Sequence, residues 1–203
     1  MMLPLLLFGA TMLLSLWASS RVKSVYNRYL EVPATSGLTG AQAAARIMQD
    51  AGIDDVQILE QEGKLIDHYD PTNKRLVLSS ENYHGRSLSA LGVAAHEVGH
   101  AIQHQQAYAP LHMRMAAVGI TNIANQVVLF LPILGFFTGF IRGNTMMLIM
   151  AIGWGIIMLF NLITLPVEFD ATARAKRALA NMGMISPGEE ANGVNRVLSA
   201  AAW

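Results

Sequence analysis

Apolar and polar positions are organised on two different scales along this chain. Three stretches run on without a charge, Met1 to Ser20, Ala116 to Phe140 and Thr145 to Leu165, and each is close to the roughly 20 residues an α-helix needs to cross a bilayer core. They predict three membrane spans. Between Pro33 and Tyr108 the apolar runs shorten and the intervening residues are those of a small folded domain. There TGAQAAARIMQDAG opens with Thr39 and Gln42 in capping-box spacing and stops at Gly52, which predicts a short amphipathic helix. Three β-prone runs follow, Val56 to Leu59, Leu65 to His68 and Arg75 to Ser79, separated by the turn-forming segments EQEGK and YDPTNK. They predict a small antiparallel sheet. A longer helix is expected from Ser87 through His104. At about 100° per residue, Leu88, Leu91, Ala95, Val98 and Ile102 form one stripe, while His96 and His100 lie together on another face. The segment EVPATSG, residues 31 to 37, reads as a linker.

Composition agrees with the long apolar runs. Of 203 residues, 53% are hydrophobic and only 14% charged, too few polar residues to cover three such helices in a water-soluble fold. The first apolar run has no Lys or Arg before it and is followed by Arg21, Lys23 and Arg28. That order predicts a retained anchor rather than a cleaved signal, with the following residues in the cytoplasm. Residues 21 to 115 and 167 to 203 hold every Lys and Arg except Arg142, in the turn IRGNT. The expected divisions are an N-terminal anchor (1–20), a cytoplasmic domain (21–115), a transmembrane hairpin (116–166) and a cytoplasmic helix (167–203). There is no cysteine, which excludes a disulfide framework, a thiolate metal site and a cysteine nucleophile. The formal net charge is zero and no basic cluster interleaves with aromatics, so no nucleic-acid partner is expected.

The chemistry concentrates in AAHEVGH, residues 94 to 100. Histidines at i and i+4 project two imidazoles from consecutive turns toward one point, as two ligands of a tetrahedral zinc require. Glu97 then lies beside the metal without binding it, placed to accept a proton from the activated water and deliver it to a leaving amine. Gly99 leaves room for another segment to approach. The core stripe is complete without either histidine, so neither is needed for packing.

From TSGLTGAQAAARIMQDAGI, through LIDHYDPTNKRLVLS and ENYHGRSLSALGVAAHEVGHAIQH, to LPVEFDATARAKRAL, the chain resembles the YugP-like neutral zinc metallopeptidase family of bacterial membrane proteins. The resemblance implies a zinc-dependent metalloendopeptidase of the gluzincin type in the bacterial inner membrane, multi-pass, with its active site on the cytoplasmic side. It implies an α+β zincin-like domain, HExxH helix plus small antiparallel sheet, combined with about three transmembrane α-helices. It also implies one Zn2+ per chain, a downstream Glu completing the His, His, Glu set, and a further apolar segment after VNRVLSAAAW. More distantly the chain is similar to HtpX and the CAAX prenyl proteases, whose third ligand lies in a Glu, three residues, Asp pattern. Here Glu168 is followed by Asp170, and position 172 is Thr. Among the other residues, His104 is excluded if the helix continues, because eight residues of helix span about 12 Å. Position 106, ten residues after His96, is Gln. His112 stays open beside Glu168, which fits better because it follows Pro166 at the end of the third apolar run.

Further expectations are weaker in their patterning. The run with Leu76, Val77 and Leu78 is expected to offer a strand edge to an extended substrate, and Asp170 and His84 to support ligands or substrate. Tyr83 and His68 read first as local hydrogen-bonding residues. Asn122, Asn125, Gln126 and Asn161 are expected to bond between membrane helices, and Arg174 to pair with Asp170 at i+4. The expected function is hydrolysis of a peptide or membrane-protein substrate in contact with the lipid bilayer. A non-catalytic zinc-binding scaffold is the alternative, and a transporter with a histidine relay is a third reading, disfavoured because the His and Glu cluster lies outside the spans.

Overall fold

The computed structural model describes residues 2–139 and 143–201. The turn residue Arg142 and the end of VNRVLSAAAW lie outside them. The chain divides into two compact units, Met1–Gln105 with Phe169–Trp203, and Gln106–Glu168. It is mostly helical with one small sheet among the described residues.

The first unit begins with α1 (Met2–Leu30). The apolar stretch does not end in a free anchor at Ser20, because the helix runs on through the basic residues into the folded unit. Tyr26 is buried there, its hydroxyl 2.9 Å from Asn82 Oδ1, and its carbonyl accepts from Ser89 Oγ at 2.8 Å. Burial, reinforced by Glu81, raises the Tyr26 hydroxyl well above its ordinary pKa. The segment at 31 to 37 is anchored rather than loose. Ala34 N–H donates to the Arg86 carbonyl and Leu88 N–H to the Val32 carbonyl, and Pro33 bridges Ser87. Next comes α2 (Gly40–Asp50), opened by the expected capping box: Gln42 N–H donates to Thr39 Oγ1, and Thr39 N–H to Gln42 Oε1. Its buried face is Ala43, Ala44, Ile47 and Met48.

The sheet comprises β1 (Gln57–Gln61), β2 (His68–Asp70) and β3 (Arg75–Ser79) in the order β1-β3-β2. It is mixed, not antiparallel. Asp70 receives the N–H groups of Thr72 and Asn73 and closes a tight turn, so β2 and β3 form an antiparallel hairpin. The open side of β3 is taken by β1, parallel, with Gln57 opposite Arg75 and Gln61 opposite Ser79. This also corrects the expectation for the third run: β3 is the central strand, with Leu76 and Leu78 fully buried and Val77 nearly so, not a free edge. The short α3 (Ser80–His84) then leads to α4 (Leu88–Gln105). The stripe of α4 is buried as its period requires, through Leu88, Leu91, Ala95 and Val98. These join Ile47, Leu76, Leu78, Leu179, Val194 and Leu198 in one core, the last two from α7 (Glu189–Ala201).

The second unit holds α5 (Ala109–Thr138) and the first part of α6 (Gly143–Asn181). These two helices are long and apolar enough to cross a membrane. Among the described residues the candidate spans are therefore two rather than the three expected. Within this unit the helices meet through small residues. A Cβ on Gly153 would lie 2.6 Å from Val128 Cγ2, and Ala124 is buried. Asn122, Asn125, Gln126 and Asn161 are exposed instead of bridging the pair. At 39 residues α6 is about 58 Å long, nearly twice the bilayer core, so a large part of it lies beyond any span.

Candidate metal centre

α4 presents His96, Glu97 and His100, all largely buried at 9%, 9% and 7% exposure. Buried imidazoles and carboxylates need partners, and the helix has them. The His96 and His100 rings meet edge to face with centroids 4.8 Å apart. Gly99 sits between them on the helix, and a Cβ there would lie 2.6 Å from the Ala171 carbonyl oxygen. Only a glycine admits the backbone of the segment from Phe169 onward at this distance, which answers the room that Gly99 was expected to leave.

That segment and α4 itself carry the groups that orient both rings. Gln103 Oε1 lies 3.0 Å from His100 Nδ1, and Gln103 Nε2 donates to Asp170 Oδ2 at 2.8 Å. Arg174 Nε donates to the same oxygen at 2.5 Å, the expected i+4 pair. Asp170 thus acts on His100 through Gln103. Thr172 Oγ1 lies 3.3 Å from His96 Nδ1, so the threonine that breaks the Glu, three residues, Asp pattern stands beside the first histidine. In each ring Nδ1 faces an orienting partner, the arrangement in which a metal would be taken by Nε2. Sequence reasoning passed over Gln103, which is wholly buried. Its signal was a glutamine three residues after His100, one turn along the same helix.

Glu168 directly precedes Phe169 in the unbroken α6 and is one turn before Thr172, so it shares the helix side of Ala171 and Thr172. In the second unit its Oε1 accepts from Arg114 Nη1 at 3.1 Å. The other histidines are engaged elsewhere or exposed. His104 Nδ1 is 2.8 Å from the Tyr69 hydroxyl, whose pKa burial, then Asp55 and Asp70, push up to about 12. His84 is exposed and pairs with Glu60 at 3.1 Å. His68 Nδ1 lies 2.7 Å from the Ile66 carbonyl, and His112 is exposed on α5.

The side chains that α4 presents are imidazole and carboxylate, types that occur at catalytic zinc sites. A family model described as "Putative neutral zinc metallopeptidase" matches residues 4–203. The chain belongs to that family. A relative described as "Putative membrane protease YugP", from Bacillus subtilis (strain 168), is 46% identical over 206 residues, covering 99% of this chain and 88% of its own. No solved structure matches. HEVGHAIQH and LPVEFDATARAKRAL both lie inside the family match, so the residues that orient the histidines belong to the matched part of the chain.

Proposed function

We propose that this chain is a membrane zinc metallopeptidase of the gluzincin type, with a zincin-like site in which His96, His100 and Glu168 hold one zinc and Glu97 is the general base. The observation that carries this reading is that Gly99, between His96 and His100, admits the Ala171 backbone, with Thr172 beside His96 Nδ1 and Gln103, itself held by Asp170, beside His100 Nδ1. Two imidazoles held at Nδ1 and one carboxylate make a His, His, Glu set that leaves a fourth position for water or substrate. Zinc there supplies Lewis-acid polarisation of a carbonyl and activation of water.

The chain's own groups do the rest. Glu97, next to His96 and off the ligand set, takes the proton of the attacking water and passes it to the departing amine. Gln103 and Asp170 fix the His100 ring, and Thr172 fixes the His96 ring, so no rotamer search precedes binding. The reading takes a peptide or membrane protein as substrate, cleaved at the cytoplasmic face of the bacterial inner membrane, since residues 21 to 115 and 167 to 203 hold every Lys and Arg except Arg142.

The test is metal analysis with casein cleavage, with and without a chelator, on the wild type and on Glu97→Gln. The expected outcome is one zinc per chain in both, chelator-sensitive cleavage in the wild type, and a loss of about 10² to 10⁴ in rate in Glu97→Gln. Equal activity of the two would leave the scaffold reading. For the location, alkaline phosphatase fused after Arg28 or Arg177 should be inactive and a fusion in the IRGNT turn active, and the opposite pattern would reverse the topology.

A further inference from the structure

The mixed sheet has one side that the chain itself does not finish. In the order β1-β3-β2, β1 is paired along one edge only, and among the described residues no strand takes the other. The parallel ladder decides which groups that free edge offers. Gln57 N–H donates to the Lys74 carbonyl, so the backbone groups of Gln57, Leu59 and Gln61 turn toward β3 and those of Ile58 and Glu60 turn outward. Natural edge strands are commonly guarded by a lysine, a proline or a bulge. Here the strand reads QILEQ, with neither residue, and its register runs unbroken from Gln57 opposite Arg75 to Gln61 opposite Ser79. Leu59, at its middle, is 37% exposed.

The strand is also close to its own complement. Read antiparallel against a copy of itself about Leu59, it sets Leu59 opposite Leu59, each Gln57 opposite a Gln61 and each Ile58 opposite a Glu60. We propose that β1 is a homodimer contact, in which two copies of this chain pair their β1 edges antiparallel across a two-fold axis at Leu59. The contact is isologous and closes on itself, joins the two sheets into one, and does not depend on the peptidase reading.

The backbone suits this register. Ile58 and Glu60, whose N–H and C=O groups point outward, come opposite each other, and each such pair exchanges both its hydrogen bonds. Leu59 falls at a non-hydrogen-bonded position on the axis, where opposed side chains approach most closely. On the same face, the exposed amides of Gln57 and Gln61 meet. Glu60 is the strand's one charge, and its carboxylate is turned back to His84 Nε2 at 3.1 Å. Other axes fit less well. One about Glu60 would oppose two carboxylates, and one about Ile58 would carry Glu60 and Gln61 past the end of the partner's strand. Stable complexes bury about 1,200–2,000 Å², more than a single short strand supplies, so the dimer is a reversible one.

The chain has no cysteine, so introduced cysteines report the contact without background. The experiment uses the full chain in detergent with a mild oxidant, read as a band of doubled mass on a non-reducing gel. Opposed residues of a non-hydrogen-bonded pair have Cα atoms about 4.5 Å apart, within reach of a disulfide. Leu59→Cys should therefore cross-link to a dimer. Gln57→Cys and Gln61→Cys should each keep the single mass when alone and give the dimer when the two proteins are mixed. Gln49→Cys, exposed on α2 and off the edge, sets the rate of random encounter. Adding Leu59→Lys to both proteins of the mixture opposes two ammonium groups on the axis and should abolish the cross-link, with the circular dichroism unchanged. The proposal is overturned if Leu59→Cys cross-links no faster than Gln49→Cys, if Gln57→Cys cross-links as well alone as in the mixture, or if the folded Leu59→Lys pair still cross-links. Should Leu59→Lys fail to fold, the mixing of Gln57→Cys with Gln61→Cys decides by itself.

Discussion

In the first unit the buried polar groups come in connected chains, His100 to Gln103 to Asp170 to Arg174, and Tyr26 to Asn82 to Asp67 to Ser79. In the second, α5 and α6 carry Leu129, Phe130, Leu134, Leu148, Met158 and Leu162 outward, and their amides face outward with them. The two regions answer different solvents. A water-soluble core excludes polar groups unless each has a partner, so polar chains inside the first unit mark places where chemistry needs them. Between helices in lipid the inward face gains chiefly close packing, so small residues such as Gly153 and Ala124 take the contact.

The strongest way to break this contrast is at the junction residue. Glu168→Ala should lower zinc content far below one per chain and remove activity, while His104→Ala and His112→Ala keep stoichiometric zinc. A purified Glu168→Ala protein that retains one zinc and cleaves substrate would end the ligand assignment. Next in size is the polar chain itself. Gln103→Leu preserves volume but cuts His100 from Asp170, and zinc affinity should fall about 10- to 100-fold, read by competition with a chelator. If affinity is unchanged, the glutamine is packing alone. Smallest is the pair of glycines, one per region. Gly99→Ala drives a methyl into the Ala171 backbone at 2.6 Å, whereas Gly153→Ala meets only the Val128 side chain at the same distance. Thermal unfolding in detergent should show Gly99→Ala costing about 1–3 kcal/mol and Gly153→Ala less. A larger cost at Gly153 would mean that the hairpin is the more tightly packed region.

What was legible in the sequence was what local spacing encodes. The capping box of Thr39 and Gln42, the bounds of β3 and the two faces of α4 all follow from intervals of two to four residues. The sense of the sheet does not, because alternation is the same in parallel and antiparallel strands, and only the hairpin closed by Asp70 forces β1 to the far side. The edge role expected for Leu76 to Leu78 failed for that reason. The apolar count of Met1 to Ser20 was sound as a count but silent about Tyr26, which commits α1 to the folded unit. Gln103 escaped notice because its partner, Asp170, is 67 residues away. Nothing near residue 103 announces that this polar side chain is buried. Thr172 was visible only as a departure from a pattern, and the structure gives it the neighbour that explains its presence.

Synthesis runs from the N-terminus, and the groups that steady His96 and His100 come from Asp170 and Thr172, made only after all of α5 and most of α6. A nascent chain therefore carries HEVGH for the whole time its hairpin is being laid down, with neither imidazole fixed by the far segment. On the proposed reading the nascent chain stays inert until α6 is nearly finished. The order of the chain alone enforces that delay.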